Sequence, residues 1–159
     1  VSGSMGYIDA EFKEVIFFNP DTGMDEDVSD TWSISNTPEF SSNVSVTYNT
    51  MIGAWGMTVA GNWSYRASTQ IFEVPSPLDM GSYSIFNLGA TFTSPDERWT
   101  LAVHGKNIFD KEYRIAGYNF PATFNPDGSV AVPGLGGEDT VTGYYGDPAT
   151  VTFTIGFHF

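Results

Sequence analysis

Apolar and polar residues alternate with a period of two along six stretches of the chain, and this spacing predicts six β-strands. The last stretch is the clearest: Val151, Phe153, Ile155, Phe157 and Phe159 share one face, and Thr150, Thr152, Thr154, Gly156 and His158 the other. Residues 43–49 set Val44, Val46 and Tyr48 against Asn43, Ser45, Thr47 and Asn49. Residues 57–66 set Met57, Val59, Gly61, Trp63 and Tyr65 against Thr58, Ala60, Asn62, Ser64 and Arg66. Phe86, Leu88, Ala90 and Phe92 then alternate with Asn87, Gly89, Thr91 and Thr93, and Trp99, Leu101 and Val103 with Thr100, Ala102 and His104. A first strand is expected over 6–15, with Ile8, Ala10 and Phe12 on the apolar face and Tyr7, Asp9, Glu11 and Lys13 on the polar one.

Short and long connections between these strands take turns. Residues 50–54 and 94–98 are short, and Ser94-Pro95-Asp96-Glu97 has turn chemistry, with Pro presetting φ. Residues 16–40, 68–82 and 115–148 are long. Alternating short turns and long loops are the layout of an up-and-down transmembrane barrel. The expected fold is therefore all-β: an antiparallel meander of about six strands forming a segment of a transmembrane β-barrel.

Composition sharpens this reading. Phe, Tyr and Trp number 13, 8 and 4, and Gly 17, which is a strand and turn composition. Trp63, Tyr65, Trp99, Phe157 and Phe159 sit near strand ends on the apolar face, where membrane-interface girdles carry amphipathic rings. The opposite face of Thr, Ser, Asn and Gly suits a wet lumen. The alternation also serves a soluble all-β fold, so a small stand-alone barrel stays open as a second reading. No apolar run approaches the ~18 residues of a spanning helix, and no signal peptide is expected within the chain, which begins Val1-Ser2-Gly3.

Net charge is −13, from 6 Lys plus Arg against 19 Asp plus Glu, and this argues against a nucleic-acid partner, because phosphate binding needs cations. Many acidic residues fall between the apolar stretches, at 21–30, 79, 96–97 and 138–147, as expected of solvated loops. Cysteine is absent, so disulfides and thiolate metal sites are too.

Candidate chemistry is sparse. His104 and His158, the two histidines, both fall on the polar face and are expected as lumen-facing hydrogen-bonding residues. Ser2-Gly3-Ser4-Met5-Gly6 lacks the Gly-x-Ser-x-Gly spacing of a nucleophile elbow, and no catalytic residue is selected. In the acidic loop 19–27, Asp21, Asp25 and Asp27 are candidate oxygen ligands for Ca²⁺, against a solvated loop as the alternative; no other cofactor is implied. Tyr118, Phe120, Tyr144 and Tyr145, with Phe124, would offer stacking surface to a small-molecule ligand at a barrel mouth.

Two segments carry a family resemblance. Residues 99–114 run from Trp99 through alternating residues into Asn107-Ile108-Phe109-Asp110-Lys111-Glu112-Tyr113, which resembles the penultimate-strand motif of the TonB-dependent receptors. The ending from Gly143 to Phe159 resembles that family's last strand, with Ala149 where many members carry Arg. Gly6-Tyr7-Ile8-Asp9-Ala10-Glu11-Phe12 and Asn36-Thr37-Pro38-Glu39-Phe40 fit the same style.

The resemblance implies that residues 1–159 are the C-terminal part of a receptor barrel, without the plug or the energy-coupling box. It implies location in the bacterial outer membrane, contact with outer-membrane lipid, and a ligand of siderophore, cobalamin-like or glycan type bound by the intact receptor. It also implies that Phe153, Phe157 and Phe159 belong to a signal read by the barrel-assembly machinery. Activity of this kind is binding and transport rather than catalysis. The alternative is a small stand-alone β-barrel with ligand-binding or hydrolase activity, which would have to close, by self-association into a homo-oligomer if need be, to hide its apolar face.

Overall fold

The computed structural model describes residues 1–135 and 140–159. Glu138 and Asp139, two acids of the last acidic segment, lie outside the described residues. The described chain is all-β and contains no helix. Its strands are β1 (Ser2–Tyr7), β2 (Ile16–Asn19), β3 (Met24–Asp27), β4 (Phe40–Ile52), β5 (Trp55–Arg66), β6 (Tyr83–Thr93), β7 (Trp99–Lys106), β8 (Arg114–Phe120), β9 (Thr123–Phe124), β10 (Val130–Val132), β11 (Thr140–Tyr145) and β12 (Thr150–Phe157). Six of them form one antiparallel sheet in the order β1-β4-β5-β6-β7-β12, open at both edges. This is the expected six-stranded meander, and it is consistent with a segment of barrel wall.

Turn chemistry explains the tight connections. Between β4 and β5 only Gly53 and Ala54 intervene, and Gly53 takes φ +60, a left-handed conformation that glycine adopts without strain. Between β6 and β7 the Ser94 hydroxyl accepts from the Trp99 amide at 2.8 Å and donates to Asp96 at 2.7 Å. The backbone bond from Ser94 to Trp99 closes the turn. The antiparallel order places both turns at one end of the sheet, together with the C-terminus, where the His158 amide donates to Arg98. Every long connection leaves from the other end. There β2 pairs with β3, β8 with β11, and β9 with β10, as three two-stranded extensions outside the sheet.

The first strand differs from expectation in position and in phase. It covers Ser2–Tyr7 rather than 6–15, and Tyr7 pairs with Phe40 on the apolar face instead of facing the polar side. One further backbone bond, from Ile8 to Glu39, extends the pairing. Beyond it the partner reaches Pro38, which has no amide hydrogen to offer, and the ladder ends. The last strand closes at Phe157 rather than Phe159, while β4, β5 and β6 run a few residues longer than their alternation suggested.

The sheet itself has no covered core. The buried apolar residues among those described are Ile71, Leu78 and Met80, with Phe72 packed against them, and all lie in the connection after β5. Leu78 fills the space left by two glycines of the β8–β11 hairpin; a Cβ at Gly117 would meet its methyl groups at 2.8 Å. Arg114 fixes the same hairpin by donating to the carbonyls of Pro77 at 2.7 Å and Asp79 at 2.9 Å.

On the polar face an asparagine chain crosses the strands. The Asn62 amide donates to Asn43 at 3.1 Å and to Ser45 at 2.9 Å, and Asn87 donates to Asn62 at 3.4 Å. Asn87 in turn accepts from the backbone amide of Asn107 at 2.9 Å. Asn107 is 3% exposed, and its side chain donates to the carbonyls of Lys111 at 2.9 Å and Asp147 at 3.1 Å while accepting from the Lys111 amide at 2.9 Å. Asp110 accepts from the Ala149 amide at 2.8 Å. The segment between β7 and β8 is thereby tied to the approach of β12, with Asn107 and Asp110 both at positive φ.

Two expectations follow. Replacing Asn107 by Gly keeps the left-handed backbone accessible but orphans one amide and two carbonyls, so the detergent-folded chain should lose roughly 1–3 kcal/mol of stability, read from urea titration. Asp27 has its carboxyl held below the usual range by the amide of Ser29 and then that of Val15. Its contribution is complete above the ordinary aspartate pKa and is lost as pH falls through the depressed value. Hydrogen exchange at Val15 and Ser29 should accelerate only in that acidic window, and Asp27→Asn should remove the pH dependence.

Candidate functional site

Sequence alternation divides the sheet into two chemically opposed faces, and cross-strand register makes each continuous. On the apolar face, Tyr48, Val59, Ala90, Val103 and Phe153 form one row across five strands. Met57, Phe92, Leu101 and Ile155 form the next. No protein layer covers them: Phe153 is 78% and Ile155 72% exposed. The opposite face carries Thr58, Thr91, Ala102 and Thr154 in one row, and Ala60, Gly89, His104 and Thr152 in another.

Aromatic rings bound the apolar face at both ends. At the short-turn end Trp99 meets Phe157 at 4.6 Å, and Phe157 meets Phe159 at 5.1 Å. At the long-loop end a chain of contacts runs from Phe40 through Tyr65, Trp63 and Phe86 to Phe109. On β5, Trp55 and Tyr65 mark the two ends of the face. Their ten-residue separation corresponds to about 33 Å of strand at ~3.3 Å per residue. Tilted by about 40°, that projects to about 25 Å, the height of the apolar band of outer-membrane barrels.

Charge follows the same geometry. The six sheet strands contain no Asp or Glu, and their only Lys and Arg are Arg66 and Lys106, each the last residue of its strand at the long-loop end. Asp96 and Glu97 sit in the short turn, with Asp96 held below its ordinary pKa by the Ser94 hydroxyl and then the Arg98 amide. All other acidic residues fall in the long connections.

The two histidines are not brought together. His104 packs its ring over Gly89, where an added Cβ would stand 2.5 Å from the imidazole, and it lines a polar-face hollow of about 480 Å³ with Ser45, Thr47, Asn62, Asn87 and Lys106. Position 104 is level with Thr152, six residues before His158, or about 20 Å along the strand.

Nor do Asp21, Asp25 and Asp27 converge. Asp21 lies in the β2–β3 turn, while Asp25 and Asp27 are on β3 and Asp27 already accepts two backbone amides. Glu26, between them, is held below its ordinary pKa by Asn19 and then Thr22. Among the described residues no three carboxylates or histidines are grouped so as to hold a metal ion.

The loop aromatics do meet. Tyr118 stacks on Phe120 at 6.0 Å and meets Tyr144 edge-on at 6.0 Å across the β8–β11 pair, leaving Tyr118 and Tyr144 about half exposed. Tyr145 lies beyond a register shift next to Arg114. Tyr113 stacks on Tyr83 at 4.7 Å and lays its ring against Gly146, a position where any Cβ would overlap it. Burial, then the neighbouring Tyr83 and Asp147, push the Tyr113 phenol up. Sequence reasoning missed the asparagine chain and the Leu78 seat. Asparagines at polar positions of three successive strands were the available sign of the first.

No curated protein and no solved structure matches the chain. The family described as "TonB dependent receptor-like, beta-barrel" matches residues 1–108, from the first strand through β7 to the start of the Asn107 motif. With more than half of its length matched, the chain belongs to the TonB-dependent receptor-like β-barrel family.

Proposed function

We propose that the chain forms a sector of the wall of an outer-membrane TonB-dependent receptor, with its apolar face against lipid and its asparagine- and threonine-rich face toward the lumen. The observation that carries this reading is an uncovered apolar face about 25 Å high, edged by aromatic rings, on strands free of acidic residues. In water such a face and two open edges would aggregate. In hydrocarbon the paired backbone and outward apolar side chains are what the solvent demands. In the intact receptor, strands flanking β1 and β12 would occupy the two edges. The short turns would lie on the periplasmic side and the long connections outside.

Within this reading, Phe153, Phe157 and Phe159 act as the terminal aromatic pattern engaged by the barrel-assembly machinery. Tyr118, Phe120, Tyr144 and Tyr145 stand on the outer connections, where a siderophore, cobalamin-like or glycan ligand would first be met. The cluster of Tyr118 stacked on Phe120 and met edge-on by Tyr144 supports a role in contacting a ligand with a flat or apolar surface.

A pair of adjacent substitutions tests the lipid assignment. Phe153→Arg should block folding into lipid vesicles or cost about 2–4 kcal/mol, the penalty for Arg near a bilayer midplane. Thr152→Arg, one residue away on the opposite face, should fold with near-normal yield. Equal tolerance at the two positions, read as protease-protected, heat-modifiable product on gels, would overturn the lipid assignment.

A further inference from the structure

The asparagine chain on the polar face runs in one direction. A backbone amide can only donate, so the Asn107 amide turns Asn87 to present its Oδ1, at 2.9 Å. That leaves the Asn87 Nδ2 to donate to the Asn62 Oδ1 at 3.4 Å. The Asn62 Nδ2 then donates to the Asn43 Oδ1 at 3.1 Å and to the Ser45 hydroxyl at 2.9 Å. Each carboxamide is a donor at one end and an acceptor at the other, so turning one over sets like against like on both sides. Asn62 and Asn87 therefore hold one another's direction, from β4 across β5 and β6 to the end of β7.

The two ends of this chain meet different surroundings. Asn62 and Asn87 line the polar-face hollow of about 480 Å³ beside His104. Asn107 is 3% exposed and grips both roots of the β8–β11 hairpin. It accepts from the Lys111 amide and donates to the Lys111 carbonyl, three residues before β8, and donates to the Asp147 carbonyl, two residues after β11. The Gly146 amide closes the same base by donating to the Tyr113 carbonyl at 2.9 Å. The hairpin above carries Tyr118, Phe120 and Tyr144. An open polar wall and a loop cluster are thus joined by one continuous line of hydrogen bonds, with its last member buried.

We propose that Asn62 and Asn87 are positioning residues for this hairpin, acting through Asn107, so that a change in hydrogen bonding at the hollow alters how firmly the Tyr118–Phe120–Tyr144 cluster is held. Its place in ligand capture rests on the receptor reading, whereas the coupling belongs to the folded chain in detergent, so the two can fail separately.

Amide exchange tests this, read residue by residue on the whole 159-residue chain folded in a non-ionic detergent. Asn62→Leu removes the acceptor of Asn87 together with the bonds to β4. Exchange should rise roughly two- to tenfold, the equivalent of one neutral hydrogen bond, at Asn107, Lys111 and Gly146 and across residues 114–120 and 140–145. Asn62→Asp keeps an oxygen for Asn87 but gives up donation to Asn43, and should leave exchange at those sites near that of the unaltered chain. A merely structural tie between β4 and β5 would fail alike in both variants. Asn49→Leu removes the acceptor of the Thr58 hydroxyl at 2.7 Å, on the same face and strand pair but with no bond toward Asn107, and should leave the hairpin unchanged. Where Asn62→Leu loses its strand circular dichroism, Asn62→Ala carries the same expectation. Unchanged exchange at Lys111 and Gly146 in the folded Asn62 variant would overturn the proposal, as would an equal rise in Asn62→Asp or in Asn49→Leu.

Discussion

Cross-strand register is the constraint on which the rest of this structure depends. The six-stranded sheet has no second layer packed on it, so its cohesion comes from the backbone ladder and from side chains meeting across neighbouring strands. A slip of one residue in any pair would carry Phe153 or Trp63 to the face of Thr154 and Asn62 and break both surfaces at once. Three devices pin the register. Gly53 and the Ser94–Trp99 turn hold the short end. The Asn43–Asn62–Asn87 chain holds the polar face in mid-strand, where water or a lumen would otherwise compete for the amides. Asn107 and Asp110 hold the long end by binding the segment that leads into β12.

Most of the sheet could be read in the sequence because period-two alternation is a local property, and five of the six strands kept the faces assigned to them. β1 failed the same test for a physical reason. Its apolar face is Gly3, Met5 and Tyr7, of which one is glycine, whereas the following residues 8–12 alternate more strongly but run alongside Pro38 and lose their ladder. The long connections were legible only as connections. Their hairpins depend on distant partners, such as Leu78 beneath Gly117, that no spacing announces. Residue type alone did not announce what the loop aspartates bond to. Asp27 has the chemistry of a calcium ligand, and its Oδ1 accepts the amides of Val15 and Ser29, which flank its own hairpin, a common use of a loop aspartate.

Solvent chemistry accounts for where stability has to be built. Along the strands, an apolar medium on one side would remove water as a competitor for backbone bonds, so the ladder needs no packed layer to protect it. Outside the sheet that protection ends, and the long connections have to supply their own. The region after β5 does so with Ile71, Leu78 and Met80, which are the buried apolar side chains among the described residues, at the end of the molecule richest in charge. Small residues make this possible on a thin scaffold. Gly117 and Gly143 lie opposite one another in the β8–β11 pair and leave the recess that Leu78 occupies, while Gly146 leaves room for the Tyr113 ring. A side chain at either recess would push the hairpin off its seat and carry the Tyr118–Phe120–Tyr144 cluster with it. The position of the loop aromatics is thus set from beneath, by glycines that make no contact with any ligand.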